Sequence, residues 1–423
     1  MPQKNRAAFA GHLFLILLVV PVLAVSAMAA APAPIENVLY SFPGGGSGAN
    51  PYGGLVADST GALYGTTGGG GGSTQCNLGS GCGTVFMLSP PAWTETVLYS
   101  FQGVNTGDGA GPQSGLVLKT GALYGTTASG GAFGYGTVFK LTPPAVAGGA
   151  WTESVLYSFK GGADGANPAS GLIFDGTALV GTTPAGGSSS FGTVFELTPP
   201  KKKGAAWPES ILYNFTGRGD GGKPYAGLVL KTKVLYGTTL DGGPSSQGAV
   251  FTLTPPAVAG GTWTENVIYG FTGGTDGGKP YSGVIFGKAG VLYGTTGLGG
   301  TGGYGTVFAL TPSKTGSTWT ESVLYSFGGG PDGAYARYGV VVDAKGNLYG
   351  TTGVGTGNSG VVFELTPPVQ KGGVWIETPL WTFTGGSDGG ATTAGVALDA
   401  GVLYGTTSLG GQYAKGTVFS VTP

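Results

Sequence analysis

The chain has 423 residues, of which 90 are glycine; 40% are hydrophobic, only 9% are charged, and the net charge is −1. Disordered chains are poor in aromatic and β-branched residues, whereas this one carries 20 tyrosines and 20 phenylalanines, so the glycine load excludes disorder and reads as punctuation between strands. Basic residues are few and scattered, with no stripe interleaved with aromatics, which excludes a nucleic-acid partner; the three lysines at 201–203 read as a solvated loop.

Residues 1–30 have the order of a secretory signal peptide. Lys4 and Arg6 precede an apolar run from Leu13 to Val25, and small residues follow through Ala27, Met28 and Ala29. The run is short for a membrane span and Pro21 interrupts it, so cleavage near Ala29 or Ala30 is expected, with no membrane span thereafter. The chain is then exported, to the periplasm or beyond the cell. Cleavage removes the single histidine, His12, and leaves 17 basic against 20 acidic residues, net −3. Ser-His-Asp, Cys-His and histidine-held metal schemes are thereby excluded from the mature chain.

Residues 31–423 are expected to form one domain built on a repeat of about 56 residues. Leu-Tyr-Gly-Thr-Thr begins at Leu63, Leu123, Leu235, Leu292, Leu348 and Leu403, and a weakened copy begins at Leu179. The unit from Ser170 to Phe215 reads as four strands: Gly171 to Asp175, Ala178 to Thr183, Gly192 to Thr198 and Trp207 to Phe215. Each is rich in β-branched and aromatic residues and bounded by Gly, Pro or Asp. In the fourth strand, alternation places Val155, Tyr157 and Phe159 on one face and Leu156 on the other. Strands apolar on both faces want cover on both sides, as when blades stack around an axis.

The ends of the array complete each other. A fourth-type strand, Ile35 to Phe42, opens the domain, and a third-type strand, Gly416 to Pro423, closes it. The expected fold is therefore all-β: a seven-bladed β-propeller of four-stranded antiparallel blades, closed by the N-terminal strand completing the last blade. Cys76 and Cys82 share one glycine-rich loop and read as a local disulfide, which stabilises by roughly 2 kcal/mol for so short a ring.

The order Leu-Tyr-Gly-Thr-Thr, a Gly-rich loop, Gly-Thr-Val-Phe-x-Leu-Thr-Pro and Val-Leu-Tyr-Ser-Phe resembles the Gloeo/Verruco (GloVer) tandem repeat of exported bacterial proteins, over residues 35 to 423. That family is defined by its repeat, so the resemblance implies a repeat fold and cell-envelope setting but supplies no catalytic residues. Val341 to Tyr349 looks like the inner hairpin of other exported propellers, which implies that the first strand type lies innermost.

Seventeen of the 20 acids fall in repeat registers. Seven glutamates (Glu36, Glu95, Glu153, Glu209, Glu265, Glu321, Glu377) head the fourth strands. Six aspartates (Asp108, Asp164, Asp220, Asp276, Asp332, Asp388) precede the first strands, with Ser47 in the seventh place. Asp58, Asp175, Asp343 and Asp399 sit at the first hairpin turn. Only Glu196, Asp241 and Glu364 remain outside. An acid–base pair needs two different environments, so this symmetry argues against catalysis. Six tryptophans in one register read as packing.

Function is therefore expected on a surface. The loops before the first strand and between the second and third emerge on one face and carry the aspartate ring together with Tyr52, Tyr225 and Tyr281, near Asn50, Asn167, Tyr135, Tyr304 and Tyr413. Aromatic plates beside short polar groups suit sugar rings or peptide backbones. The favoured reading is a non-enzymatic binding scaffold for a polysaccharide or an envelope protein, with no cofactor and no metal site assigned. Calcium is the one cation whose oxygen ligands the Asp-Gly loops offer. The alternatives are a carbohydrate-active hydrolase or lyase using Asp220, Asp276 and Asp332 with Lys223 or Lys279, and a purely structural surface repeat.

Overall fold

Each letter of the Leu-Tyr-Gly-Thr-Thr motif does a different job in the computed structural model, which describes residues 33–423 apart from 77–80, 105, 147, 203, 259, 315, 317, 356–358 and 371. The leucines are buried between neighbouring sheets. Four of the tyrosines meet a tryptophan of the next repeat, as Tyr64 meets Trp151 and Tyr236 meets Trp319, at 6.4 and 6.2 Å between ring centres. In five repeats the first threonine donates to a backbone carbonyl of the next repeat, as in Thr66 to Ser114 (3.1 Å) and Thr238 to Ser282 (2.8 Å). In five repeats the second pairs with the threonine that opens the third strand, as in Thr67 with Thr84 at 2.8 Å.

The glycine is required for space. A Cβ on Gly237 would stand 2.6 Å from both Phe251 Cζ and Leu228 Cδ2. Gly237→Ala is therefore expected to cost about 1–3 kcal/mol in denaturant unfolding by overpacking. Gly46→Ala, where a Cβ meets nothing within 4 Å, should leave stability unchanged.

The strands assemble into seven four-stranded antiparallel blades around an axis, numbered here by their first strands: Val56–Ala57, Val117–Lys119, Ile173–Asp175, Val229–Lys231, Ile285–Phe286, Val340–Val342 and Ala397–Asp399. Blade 4 is typical, running Val229–Lys231, Val234–Thr239, Ala249–Thr254 and Thr264–Gly270 in sequence order. Blade 7 takes its fourth strand from the other end of the chain. Ile35–Ser41 pairs antiparallel with Thr417–Thr422, from Ile35 opposite Thr422 to Ser41 opposite Thr417.

Neighbouring blades are joined by phenylalanine. The residue ending one fourth strand meets the third-strand phenylalanine of the next blade edge to face. Such pairs occur at all seven junctions, from Phe42 with Phe86 (5.1 Å) to Phe383 with Phe419 (4.8 Å). All these rings are fully buried, and each such pair adds about 0.5–1.5 kcal/mol beyond its burial.

The fourth strands depart from strict alternation. In blade 2, Tyr157 opposes Val138 and Val155 opposes Phe139, so Leu156 is the extra residue of a bulge. Leu156 is buried, whereas Val155 is 36% exposed. The expected facing of Val155 and Leu156 is thus corrected: an inserted residue swaps the faces on either side of it.

Cys76 and Cys82 form the expected disulfide, which packs on Gly103, where a Cβ would lie 2.7 Å from Cys82 Sγ. The expected signal peptide, residues 1–30, lies outside the described residues. Among the described residues, no helix is long and apolar enough to cross a membrane.

Candidate binding site at the channel mouth

The loops that lead into the seven first strands converge on the axis and enclose a depression of about 420 Å³. One register position leads into it from each blade, held by Tyr52, Gln113, Ala169, Tyr225, Tyr281, Arg337 and Thr393, and all of these but Thr393 line it. Tyr52, Tyr225, Tyr281 and Arg337 line the depression, as does Tyr338, which stands where the other blades carry only Gly, Ser or Ala. The three tyrosines expected from sequence are therefore brought together. The six aspartates are not among the lining residues.

The aspartates sit at the seams between blades with their lone pairs already used. Asp220 accepts from the Thr216 amide (2.8 Å), the Thr216 hydroxyl (2.5 Å) and the Tyr213 hydroxyl (3.1 Å). Asp276 repeats this with Thr272 and Tyr269, and Asp108, Asp164, Asp332 and Asp388 hold their own loops in the same way. Tyrosine hydroxyls join four of these last seams: Tyr99, Tyr157, Tyr269 and Tyr325 each donate to their aspartate.

Each seam also holds a repeat glutamate with one buried oxygen that has no hydrogen-bond partner. Burial, and then the charge of the facing aspartate, push Glu36, Glu153, Glu209, Glu265, Glu321 and Glu377 up to about 7. At the seventh seam Ser47 replaces the aspartate, and the Tyr40 hydroxyl donates to Glu95 instead, at 2.8 Å. Among the described residues, no group of three or more His, Cys, Asp or Glu is placed to hold a metal ion.

The acids outside the repeat registers do not converge. Glu364 accepts from the Tyr349 hydroxyl (3.0 Å), and Glu196 feels Asp175 at the first hairpin turn of its blade. Asp241 lies elsewhere, between two lysines: Lys223 Nζ reaches one of its oxygens and Lys279 Nζ the other, both at 2.8 Å. Burial alone would raise the Asp241 carboxyl, but the two lysines hold it below its ordinary value. The same contact raises Lys223, which also feels Tyr225 and Tyr281.

Next along the ring, the Arg337 guanidinium lies 4.9 Å from the Tyr281 ring centre and 5.0 Å from that of Tyr335, and Tyr335 meets Tyr304 edge to face at 5.8 Å. Blades 4 to 6 thus carry a cationic, aromatic arc.

The backbone under this arc is strained. Lys223, Lys279 and Tyr335 have φ of 54°, 55° and 59°, in a register where Asn50, Gly111 and Asn167 are the easier occupants. The left-handed conformation costs a side-chain-bearing residue about 1–2 kcal/mol. It is held by pairing on both sides: the Lys279 amide donates to Gln247 O (2.7 Å) and its carbonyl accepts from Gly297 (3.0 Å). Sequence reasoning singled out Asp241 as out of register but missed Arg337 and Tyr338; the signal was a break in the small-residue and tyrosine registers at one repeat.

A profile of the Gloeobacter/Verrucomicrobia repeat matches residues 72–277 and 235–423. No curated protein matches the sequence. Among solved structures, the chain is similar to Trypanosoma rangeli sialidase, with 10% identity over 92% of this chain and 59% of that one, at a TM-score of 0.43. It is also similar to a luciferin-regenerating enzyme (13% identity, 92% of this chain, 96% of that one, TM-score 0.39). A third is the endo-arabinase of Bacteroides thetaiotaomicron (16% identity, 81% and 99%, TM-score 0.30).

Proposed function

This chain belongs to the Gloeobacter/Verrucomicrobia repeat family, and from that premise we propose that it is an exported propeller acting as a non-enzymatic scaffold that docks a glycan at its channel mouth. In this reading residues 1–30 direct export and are removed, and residues 31–423 are the working domain. The Cys76–Cys82 disulfide supports an oxidising compartment.

The observation that carries the proposal is the division of labour among the side chains. The repeat aspartates are engaged in blade seams, whereas Tyr52, Tyr225, Tyr281, Tyr338 and Arg337 gather around an open depression. Tyrosine rings supply broad contact area at low entropic cost and stack on the apolar faces of sugars. A hydrolase would instead need a carboxyl pair across a substrate; the Glu–Asp pairs of the seams recur at six junctions, and none of their carboxylates lines the depression.

The test is depletion of purified mature protein by a panel of insoluble and soluble polysaccharides, with and without calcium, reading both bound protein and released sugar. Binding without release is expected, and it should weaken in Tyr281→Ala. Released sugar would overturn the non-enzymatic reading in favour of a hydrolase or lyase. Absence of binding across the panel would redirect the search to an envelope protein.

A further inference from the structure

We propose that the glycan is acidic, and that the arc of blades 4 to 6 receives its carboxylate on the Arg337 guanidinium while the neighbouring tyrosines stack on its sugar rings. This rests on the channel mouth being the glycan-binding face, and adds the chemical class.

Arg337 is half-buried, and among the described residues no carboxylate forms an ion pair with it. The ion pairs among the described residues are Lys223 with Asp241, Lys279 with Asp241 and Lys233 with Asp175, and Arg337 is in none of them. Its Nε is buried and has no hydrogen-bond partner. Two tyrosine rings, from Tyr281 and Tyr335, pack on the guanidinium and fix its plane without neutralising it. A planar donor fork held in this way matches the planar two-oxygen edge of a carboxylate.

The surrounding field agrees. The arc holds three cations, Lys223, Lys279 and Arg337; Asp241 is the carboxylate that pairs with the two lysines, while Asp220, Asp276 and Asp332 of the same loops accept hydrogen bonds at the seams. A cation that no carboxylate pairs with attracts anions to its own part of the surface. Since Asp241 can offset only one of its two lysines, positive charge remains along the arc on both sides of Tyr281. That distribution suits a polymer bearing an acid on successive sugars better than a single anion.

The experiment compares equilibrium binding of intact protein to polygalacturonate and to its methyl-esterified form, which keeps the sugar backbone and removes the charge. Dextran sulfate and neutral dextran complete the set. Polygalacturonate is expected to bind about tenfold or more tightly than the ester, with affinity falling as salt is raised. Arg337→Gln should lose about tenfold for polygalacturonate at an unchanged melting temperature, and Arg337→Lys should recover only part of it, because an ammonium cannot make the bidentate contact.

Equal binding of acid and ester, or an Arg337→Gln protein that binds as the parent does, overturns the proposal. So does dextran sulfate binding that exceeds polygalacturonate and is indifferent to Arg337→Lys. Neutral dextran binding as tightly as the acid sinks this inference alone and leaves the scaffold standing; no binding to any of the four removes both.

Discussion

A protein lacking Ile35–Phe42 is expected to melt far below the intact one, or to lose cooperative unfolding altogether. This segment is the fourth strand of blade 7, although the other three strands of that blade come from the opposite end of the chain. Without it, the edge of Thr417–Thr422 is left open, with its backbone donors and acceptors unpaired and available for aggregation. The same segment also reaches forward into blade 1. Phe42 is fully buried and packs edge to face on Phe86, so it closes the ring sideways as well as completing a sheet.

Phe42→Ala isolates that second contribution. Truncating a buried phenylalanine costs about 3–5 kcal/mol, or roughly 4–6 °C for a domain of this size. The deletion should exceed the point variant by a wide margin, because it adds the lost ladder to the lost ring. Thermal melts of the two variants beside the parent decide the matter, and a deletion that melts with the parent would show that the propeller does not depend on this strand.

Stability is also expected to fall as the pH rises from about 5 to 8, by roughly 3–7 °C in melting temperature. The cause is the ring of seam glutamates. Burial first, and the facing aspartates second, push six of them up to about 7 from an ordinary 4.5. Below the ordinary value both folded and unfolded chains hold these protons, and folding carries no penalty from them. Between 4.5 and about 7 the folded chain binds more protons than the unfolded one, so each step upward in pH favours unfolding. Above about 7 both states are ionised and the penalty is constant. The groups are only half-buried, so solvent screening reduces each to the order of 0.5–1 kcal/mol.

The triple variant Glu153→Gln, Glu209→Gln, Glu265→Gln keeps the shape of three seams and removes their titration. It should flatten about half of the pH dependence and melt above the parent at pH 8. A parent protein whose melting temperature holds level or climbs between pH 5 and 8 would show that these carboxyls ionise without cost. Asp241 acts in the opposite sense, since its lysines hold it below its ordinary value, but its contribution is lost only in acid.

Both the blade seams and the channel mouth show how a repeat protein separates structure from recognition. A residue present in every blade has its explanation in what every blade needs, such as the leucine, glycine and phenylalanine that fill each junction. A residue present once has no such explanation. Asp241, Arg337 and Tyr338 belong to the second kind: Arg337 and Tyr338 line the mouth, and Asp241 joins Lys223 and Lys279 of the two preceding blades.

The blade count, the order of strands within a blade and the closure of the ring were legible in the sequence, because each depends on local patterns written seven times over. The spacing of Leu63, Leu123 and their successors counts the blades, and the leftover strands at Ile35 and Gly416 identify the join. The local disulfide was equally legible, from two cysteines in one loop. Tertiary structure alone decided three things. The bulge at Leu156 exchanged the faces of its strand, because an inserted residue is set by the twist of the sheet and not by composition. The aspartate ring turned to the seams, because the loop folds each aspartate back on its own strand end, where an amide four residues upstream and a tyrosine hydroxyl seven residues upstream donate to it, as Thr216 and Tyr213 do to Asp220. The pairing of Lys223 and Lys279 through Asp241, and of Arg337 with Tyr281 and Tyr335, joins residues of successive blades; their meeting is fixed by the curvature of the closed ring and by left-handed backbone at Lys223, Lys279 and Tyr335, neither of which a linear pattern records.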